Sequence, residues 1–272
     1  MPEGPEMYRV ARRISRTLGD APLVEVWFAF DHLKGWSGRL EAQRLATVRT
    51  LGKALLLEFA DGVTIYTHNQ LYGRWLFSPA DRRPDTGRQL RLALSSGERS
   101  ALLYSASEID VLAPGSVNEH PFIRRAGLDI LSSGANVAEV AAWISRPEFA
   151  RRQLGHLLLD QSFLAGVGNY LRSEILFIAG LDPTRRPMDL VPTEQAKLAE
   201  AARTMMWRSA ETGGITNDPQ RVRQLKAAGW RRRDYRHFVF SREGQACFLC
   251  NGEITRQTVS GRRLYACARC QR

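Results

Sequence analysis

Cys247-Phe248-Leu249-Cys250, followed after sixteen residues by Cys267-Ala268-Arg269-Cys270, holds every cysteine of the chain. Two Cys-x2-Cys pairs at this separation fall in the window of a zinc site. Each pair presents two thiolates to one tetrahedral ion, and four thiolates leave no open coordination position, so the expected role is structural. Two disulfides are the competing reading, which a cytosolic chain disfavours. Between the pairs, Glu253 to Val259 alternates as a strand, Ser260-Gly261-Arg262-Arg263 turns, and Leu264-Tyr265-Ala266 returns. The C-terminus therefore reads as a metal-stapled β-hairpin with Arg262 near its tip.

Composition sets the rest of the frame. The 272 residues suggest about two domains, and 44% hydrophobic content is enough for sizeable cores. No apolar run approaches the ~18 residues of a membrane span, and the acidic start lacks the basic and apolar regions of a signal peptide, so a cytoplasmic protein is expected. A net charge of +11 points to a polyanionic partner, nucleic acid before any other. An anionic membrane would call for one polybasic block or a basic amphipathic helix. Here the excess is spread over Arg151-Arg152, Arg185-Arg186, Arg231-Arg232-Arg233 and Arg262-Arg263.

The other end is chemically distinctive: Met1-Pro2-Glu3-Gly4-Pro5-Glu6. Loss of Met1 leaves the secondary amine of Pro2 at the terminus. Such an amine titrates near pKa ~7.7 to 8.0, so a neutral, nucleophilic fraction exists near neutrality. Its attack on a sugar C1′ gives an iminium that cannot shed its charge, an electron sink suited to elimination of the C3′ phosphate. Glu3 is placed as the proton shuttle. Met7, Val10, Ala11, Ile14 and Leu18 then recur at helical spacing, which anchors this terminus through a helix over 5–18.

From Leu23 to Leu112 the pattern becomes short β-rich runs, at 24–30, 45–50, 54–59, 63–67, 74–77, 90–94 and 101–104, separated by turns such as Asp61-Gly62 and Ser96-Gly97, the signature of a sandwich or barrel. Leu51-Gly52-Lys53-Ala54 puts a lysine on a turn, where a solvated side chain is the ordinary reading. His68-Asn69-Gln70-Leu71-Tyr72-Gly73 puts an amide, an aliphatic and an aromatic residue on one connection. That trio suits either a wedge into a base stack or an apolar lid on the sandwich. Residues 113–136 lack periodicity and read as a linker containing Arg124-Arg125. Helical patterning follows over 137–144, 149–159, 170–179 and 193–211. Gly166-Val167-Gly168-Asn169 precedes the third of these: the two glycines let the backbone approach something closely, Asn169 is expected to cap the helix, and its free N–H groups favour a phosphate. Residues 213–235 are rich in Gly, Asn, Asp and Arg and read as mobile.

In this order, the parts resemble the formamidopyrimidine-DNA glycosylase and endonuclease VIII family over essentially the whole chain. Pro2-Glu3-Gly4-Pro5-Glu6, Gln70-Leu71-Tyr72 and Leu103-Tyr104-Ser105-Ala106-Ser107 look like the endonuclease VIII branch. The resemblance implies an α+β multidomain fold: a two-sheet β-sandwich catalytic domain over 1–115, a linker over 116–136, a helix-two-turn-helix DNA-binding domain over 137–235 and a four-cysteine zinc finger over 236–272. It implies a bifunctional glycosylase and lyase of base-excision repair, a monomer acting on oxidised pyrimidines in duplex DNA. Pro2 then matches the Schiff-base nucleophile, Glu3 the general acid, Lys53 the proton donor of β-elimination, and Arg262 the residue of δ-elimination and phosphate binding. Gln70, Leu71, Tyr72, Arg125 and Asn169 match DNA contacts, Glu6 and Glu174 supporting carboxylates. Cys247, Cys250, Cys267 and Cys270 match the ligands of one structural zinc ion. The alternatives are an oxidised-purine glycosylase of the sister branch and a non-enzymatic damaged-DNA-binding protein. The second has no need of an N-terminal amine.

Overall fold

The computed structural model describes residues 2–272 and divides into two compact units, one of Pro2 and Met7–Arg125, the other of Glu3–Glu6 and Ala126–Arg272. Removal of Met1, on which a Pro2 amine depends, lies outside the described residues.

Helix α1 (Gly4–Leu18) opens the chain, its first turn counted with the second unit and the remainder with the first. Eight strands follow: β1 (Glu25–Phe28), β2 (Leu45–Leu51), β3 (Ala54–Phe59), β4 (Thr64–His68), β5 (Arg74–Pro79), β6 (Leu90–Ser95), β7 (Arg99–Tyr104) and β8 (Glu108–Leu112). They form two antiparallel sheets, ordered β1-β6-β7-β5 and β2-β3-β4-β8. Strand periodicity decides what each face meets. Leu55, Leu57 and Ile65 of one sheet share a core with Phe28, Leu92, Leu94 and Leu103 of the other, and Met7, Ala11, Ile14 and Leu18 of α1 join them. The alternate residues Ala54, Leu56 and Tyr66 pack under Phe122 and Ile123 instead. Each fully buried leucine of this kind contributes about 1.5–3 kcal/mol relative to exposure.

β8 was not apparent from the sequence. Its polar positions Glu108 and Asp110 break the apolar run, yet they pair opposite His68 and Tyr66 on β4 while Ile109 turns to the core. The stretch read as a linker also carries structure, with short helices at Pro121–Arg125 and Ile130–Ser133, the second capped by Asp129 through the N–H groups of Leu131 and Ser132.

The second unit contains α2 (Val137–Ile144), α3 (Leu154–Leu157), α4 (Asn169–Ala179), α5 (Pro192–Thr212) and α6 (Pro219–Ala227), then the hairpin β9 (Thr255–Val259) and β10 (Arg262–Ala266). The helix expected over 149–159 shrinks to α3, because the N–H groups of Leu154 and Gly155 bond the carbonyls of Arg185 and Pro183 rather than the preceding turn. The segment 213–235 is ordered around α6: Asp218 accepts from the Arg221 N–H and Pro219 occupies the first turn. The hairpin docks on α4, where Phe177 shares a core with Phe238, Val239, Ile254, Tyr265, Cys247 and Cys267. Among the described residues no helix is long and apolar enough to cross a membrane.

Candidate active site

Glu3 is buried, and its carboxylate accepts from the N–H groups of Gly168 (2.9 Å), Tyr170 (2.9 Å) and Leu171 (3.3 Å). It occupies the place that an anion takes at a helix N-terminus. This corrects the reading of Asn169 as the cap: Gly168 is the N-cap, Asn169 is already helical, and the free N–H groups expected to favour a phosphate serve Glu3. The two glycines make the approach possible. A Cβ at Gly168 would fall on the Glu3 carboxyl group, and one at Gly4 would lie 3.0 Å from the Gly166 Cα. Gly4 N–H also donates to the Gly166 carbonyl at 2.8 Å.

Glu6 fixes the backbone at the same point. Its Oε2 accepts from the Glu3 N–H at 3.0 Å, the return half of a capping box, and both its oxygens accept from the Tyr170 hydroxyl at 3.1 and 3.2 Å. Burial first, then the charges of Glu6 and Glu3, push the Tyr170 phenol well above its ordinary range, so it stays a hydrogen-bond donor. Glu174 works further along α4. Fully buried, it accepts from the N–H groups of Phe238 (2.8 Å), Val239 (2.9 Å) and Phe240 (3.0 Å) and from the Thr216 hydroxyl. It ties the chain ahead of the hairpin to α4.

Asn169 and Arg262 meet through Arg172, a residue that sequence reasoning missed. The Arg172 guanidinium, fully buried, donates to the Asn169 Oδ1 at 2.8 Å and to the carbonyls of Arg262 (3.5 Å) and Arg263 (3.3 Å). Burial, then the neighbouring Arg262 charge, lower its pKa to about 10, and it remains a cation at neutrality. The Arg262 side chain is exposed.

In the first unit, Gly52-Lys53 forms the two-residue turn between β2 and β3, closed by the Leu51–Ala54 pair, with Gly52 at φ 61°. Lys53 is only 7% exposed, which excludes the solvated-lysine reading. Its charge reaches His68, whose pKa is lowered by burial first and by Lys53 second, against the opposing pull of Glu108. Gln70 adopts φ 48°, and its amide is held by Glu108 Oε2 (2.9 Å) and the Ser107 hydroxyl (2.7 Å). Leu71 and Tyr72 are 61% and 72% exposed, so they do not lid the sandwich. Gly73 closes the loop with its N–H on the Asn69 carbonyl at 2.7 Å, a fit with no room for a Cβ. Arg125 is exposed at the end of its short helix and donates Nε–H to the Pro121 carbonyl. Pro2 is half-buried.

The four cysteine sulfurs lie within 4.8 Å of one another. Separations of 3.8 Å (Cys247–Cys270) and 3.4 Å (Cys250–Cys267) are far beyond a disulfide bond and suit a tetrahedron of thiolates about one ion. Backbone N–H groups of Leu249 and Gly252 point at the Cys247 and Cys250 sulfurs, each at 3.4 Å.

Residues 1–105 match the formamidopyrimidine-DNA glycosylase N-terminal domain and residues 127–220 the formamidopyrimidine-DNA glycosylase H2TH domain. The chain is 41% identical over 272 residues to endonuclease 8 of Enterobacter sp. (strain 638), and 40% identical over 271 residues to endonuclease 8 of Klebsiella pneumoniae, with all of each chain covered. Among solved structures it is similar to Lactococcus lactis formamidopyrimidine-DNA glycosylase non-covalently bound to DNA containing an abasic site, with a TM-score of 0.78, 16% identity and 99% of each chain covered. A complex of the same protein with DNA containing an oxidised pyrimidine matches with a TM-score of 0.79, 16% identity and 100% of each chain. The chain belongs to the formamidopyrimidine-DNA glycosylase and endonuclease VIII family.

Proposed function

We propose that this chain, a DNA glycosylase and AP lyase of base-excision repair, removes oxidised pyrimidines from duplex DNA through the amine of Pro2. The observation that carries this is the fixing of Glu3 by three N–H groups of the α4 terminus, which immobilises the residue bonded to Pro2. A terminal amine frays without such a tether.

The Pro2 nitrogen attacks C1′ of the damaged nucleoside, the C1′–N bond breaks, and the base leaves with a proton. Glu3 exchanges a proton with the sugar ring oxygen as the ring opens to the iminium. Departure of a C2′ proton breaks the C3′–O bond and expels the 3′ phosphate, which Lys53 protonates; departure of the C4′ proton then breaks the C5′–O bond and expels the 5′ phosphate beside Arg262, and water adds to the remaining iminium to free Pro2. Positive charge where phosphate departs is electrostatic stabilisation of the leaving group. The target base must first leave the stack, at a cost of a few kcal/mol. The exposed Leu71 and Tyr72, with Gln70, offset that cost by filling the gap, and Asn169 and Arg125 hold backbone phosphates. Cys247, Cys250, Cys267 and Cys270 hold one structural zinc ion, which keeps the hairpin in shape.

Excision measured side by side on duplexes carrying thymine glycol and oxidised guanine tests the substrate class. Faster release of thymine glycol is expected. Preference for oxidised guanine assigns the sister specificity, and tight binding without release of either base overturns the enzymatic reading.

A further inference from the structure

We infer that Arg172 is a positioning residue that sets the Asn169 amide and the hairpin turn beside Arg262 into a single phosphate-facing arrangement. This rests on the reading of Asn169 and Arg262 as phosphate contacts.

Arg172 heads the largest fully buried side chains of the chain, and among the described residues it forms no ion pair. The Glu3 charge favours the cation from a distance, yet a buried cation with no carboxylate bonded to it is a costly way to fill space that a methionine would fill. What arginine adds is a planar fork of donors. Nη1 donates to the carbonyls of Gly155 (2.8 Å) and Val259 (3.3 Å), Nη2 to Asn169 Oδ1 (2.8 Å) and to the carbonyls of Arg262 (3.5 Å) and Arg263 (3.3 Å). Val259 and Arg262 flank the two-residue turn Ser260-Gly261, whose φ values of 55° and 67° are those of a tight hairpin turn. One side chain therefore grips the backbone on both sides of the turn and through Arg262 itself.

The amide is fixed by the same grip. With Oδ1 committed to Arg172, the Asn169 Nδ2 faces the hairpin and donates to the Arg263 carbonyl at 2.8 Å. An amide nitrogen carries two hydrogens, so one remains for an acceptor. The Arg262 charge already acts on Arg172, and Arg172 Nε is a buried donor with no partner. A phosphate diester at the spare Asn169 N–H and Arg262 relieves that repulsion between like charges, while the buried Nε stays out of its reach.

The test uses zinc-loaded protein and the variants Arg172→Met and Arg172→Lys on a duplex with an abasic site. Two readouts are compared: the rate of borohydride trapping, and the ratio of δ-elimination to β-elimination ends. Arg172→Met is expected to lower that ratio roughly tenfold while trapping changes less than about twofold, the cost of a misplaced contact rather than a lost nucleophile. On an uncleavable tetrahydrofuran duplex it is expected to flatten the slope of log affinity against log salt by about one. Arg172→Lys, which keeps the charge without the fork, is expected to fall between. Zinc content and melting temperature identify variants that fold, and if the methionine variant does not, the lysine variant decides by the same readouts. An unchanged product ratio and salt slope in a folded variant overturns the inference, as does an equal loss of trapping and δ-elimination. If the wild-type protein yields no δ-elimination ends, the two-step elimination is wrong, and the salt slope alone decides the role of Arg172.

Discussion

Replacing Gly168 by alanine isolates the Glu3 tether. The backbone there, at φ −130° and ψ −155°, is open to any residue, so no strain arises from the peptide itself. The added Cβ instead lands on the Glu3 carboxyl group, which must withdraw from the N–H groups of Gly168, Tyr170 and Leu171. Hydrogen bonds to a charged group are worth about 1.5–3 kcal/mol each. Losing the two short ones and the longer third, with partial relaxation, gives an expected destabilisation of about 3–5 kcal/mol. At about 2–4 °C per kcal/mol for a unit of this size, melting falls by roughly 10 °C. Displacing Glu3 also moves the residue bonded to Pro2, so borohydride trapping on an abasic duplex is expected to slow roughly a hundredfold. Gly38→Ala is the control: nothing lies within 4 Å of its Cβ, and its melting point is expected to hold or rise slightly. A Gly168→Ala protein that melts and traps like the wild type would refute the tether.

Other expectations test other parts. Leu71→Ala with Tyr72→Ala removes exposed side chains only, so melting stays unchanged while affinity for an abasic duplex falls about tenfold, read by fluorescence anisotropy. His237 is pushed well below its ordinary pKa of 6.5, by burial first and by Arg236 and Arg232 next. Because Thr216 gives its hydroxyl proton to Glu174, His237 Nδ1 serves as the donor to Thr216 in the neutral ring. A depressed histidine means that the unfolded chain binds the proton first, so stability is present above pH 6.5 and declines as pH falls below it. The slope is at most about 1.4 kcal/mol per pH unit, and His237→Gln is expected to remove it from denaturation curves taken between about pH 5 and 7. Chelation, or Cys250→Ser, is expected to release one zinc ion per chain, lower the melting point and weaken DNA binding at least about tenfold, since metal binding and folding of such a finger are one equilibrium.

Much of this structure was legible because its signals are local. Alternating apolar residues located the strands of both sheets except β8, and the stripe of Met7, Ala11, Ile14 and Leu18 gave α1. The cysteine spacing gave the cluster of four sulfurs that could hold a metal ion, and the alternation between the two pairs gave the hairpin. What escaped depends on long-range partners. Gly166 and Gly168 announced a close approach, but nothing local says that the approaching groups are Gly4 and Glu3, more than 160 positions earlier. Arg172 reads as one more arginine in a basic chain until the carbonyls of Val259, Arg262 and Arg263 surround it. Glu108 looks like an interruption because its partners Tyr66 and Gln70 come from β4 and the following loop. The Asp218-Pro219 start of α6 was a local signal, obscured by the glycines and arginines around it.

The most direct measurement is borohydride trapping of the purified protein on a thymine glycol duplex, followed by peptide mapping of the adduct by mass spectrometry. If the N-terminal amine does the chemistry, the DNA remnant maps to the nitrogen of Pro2 in a chain lacking Met1, and Pro2→Gly traps far more slowly. An adduct on a lysine such as Lys53, or a stable adduct from a chain that retains Met1, would contradict it.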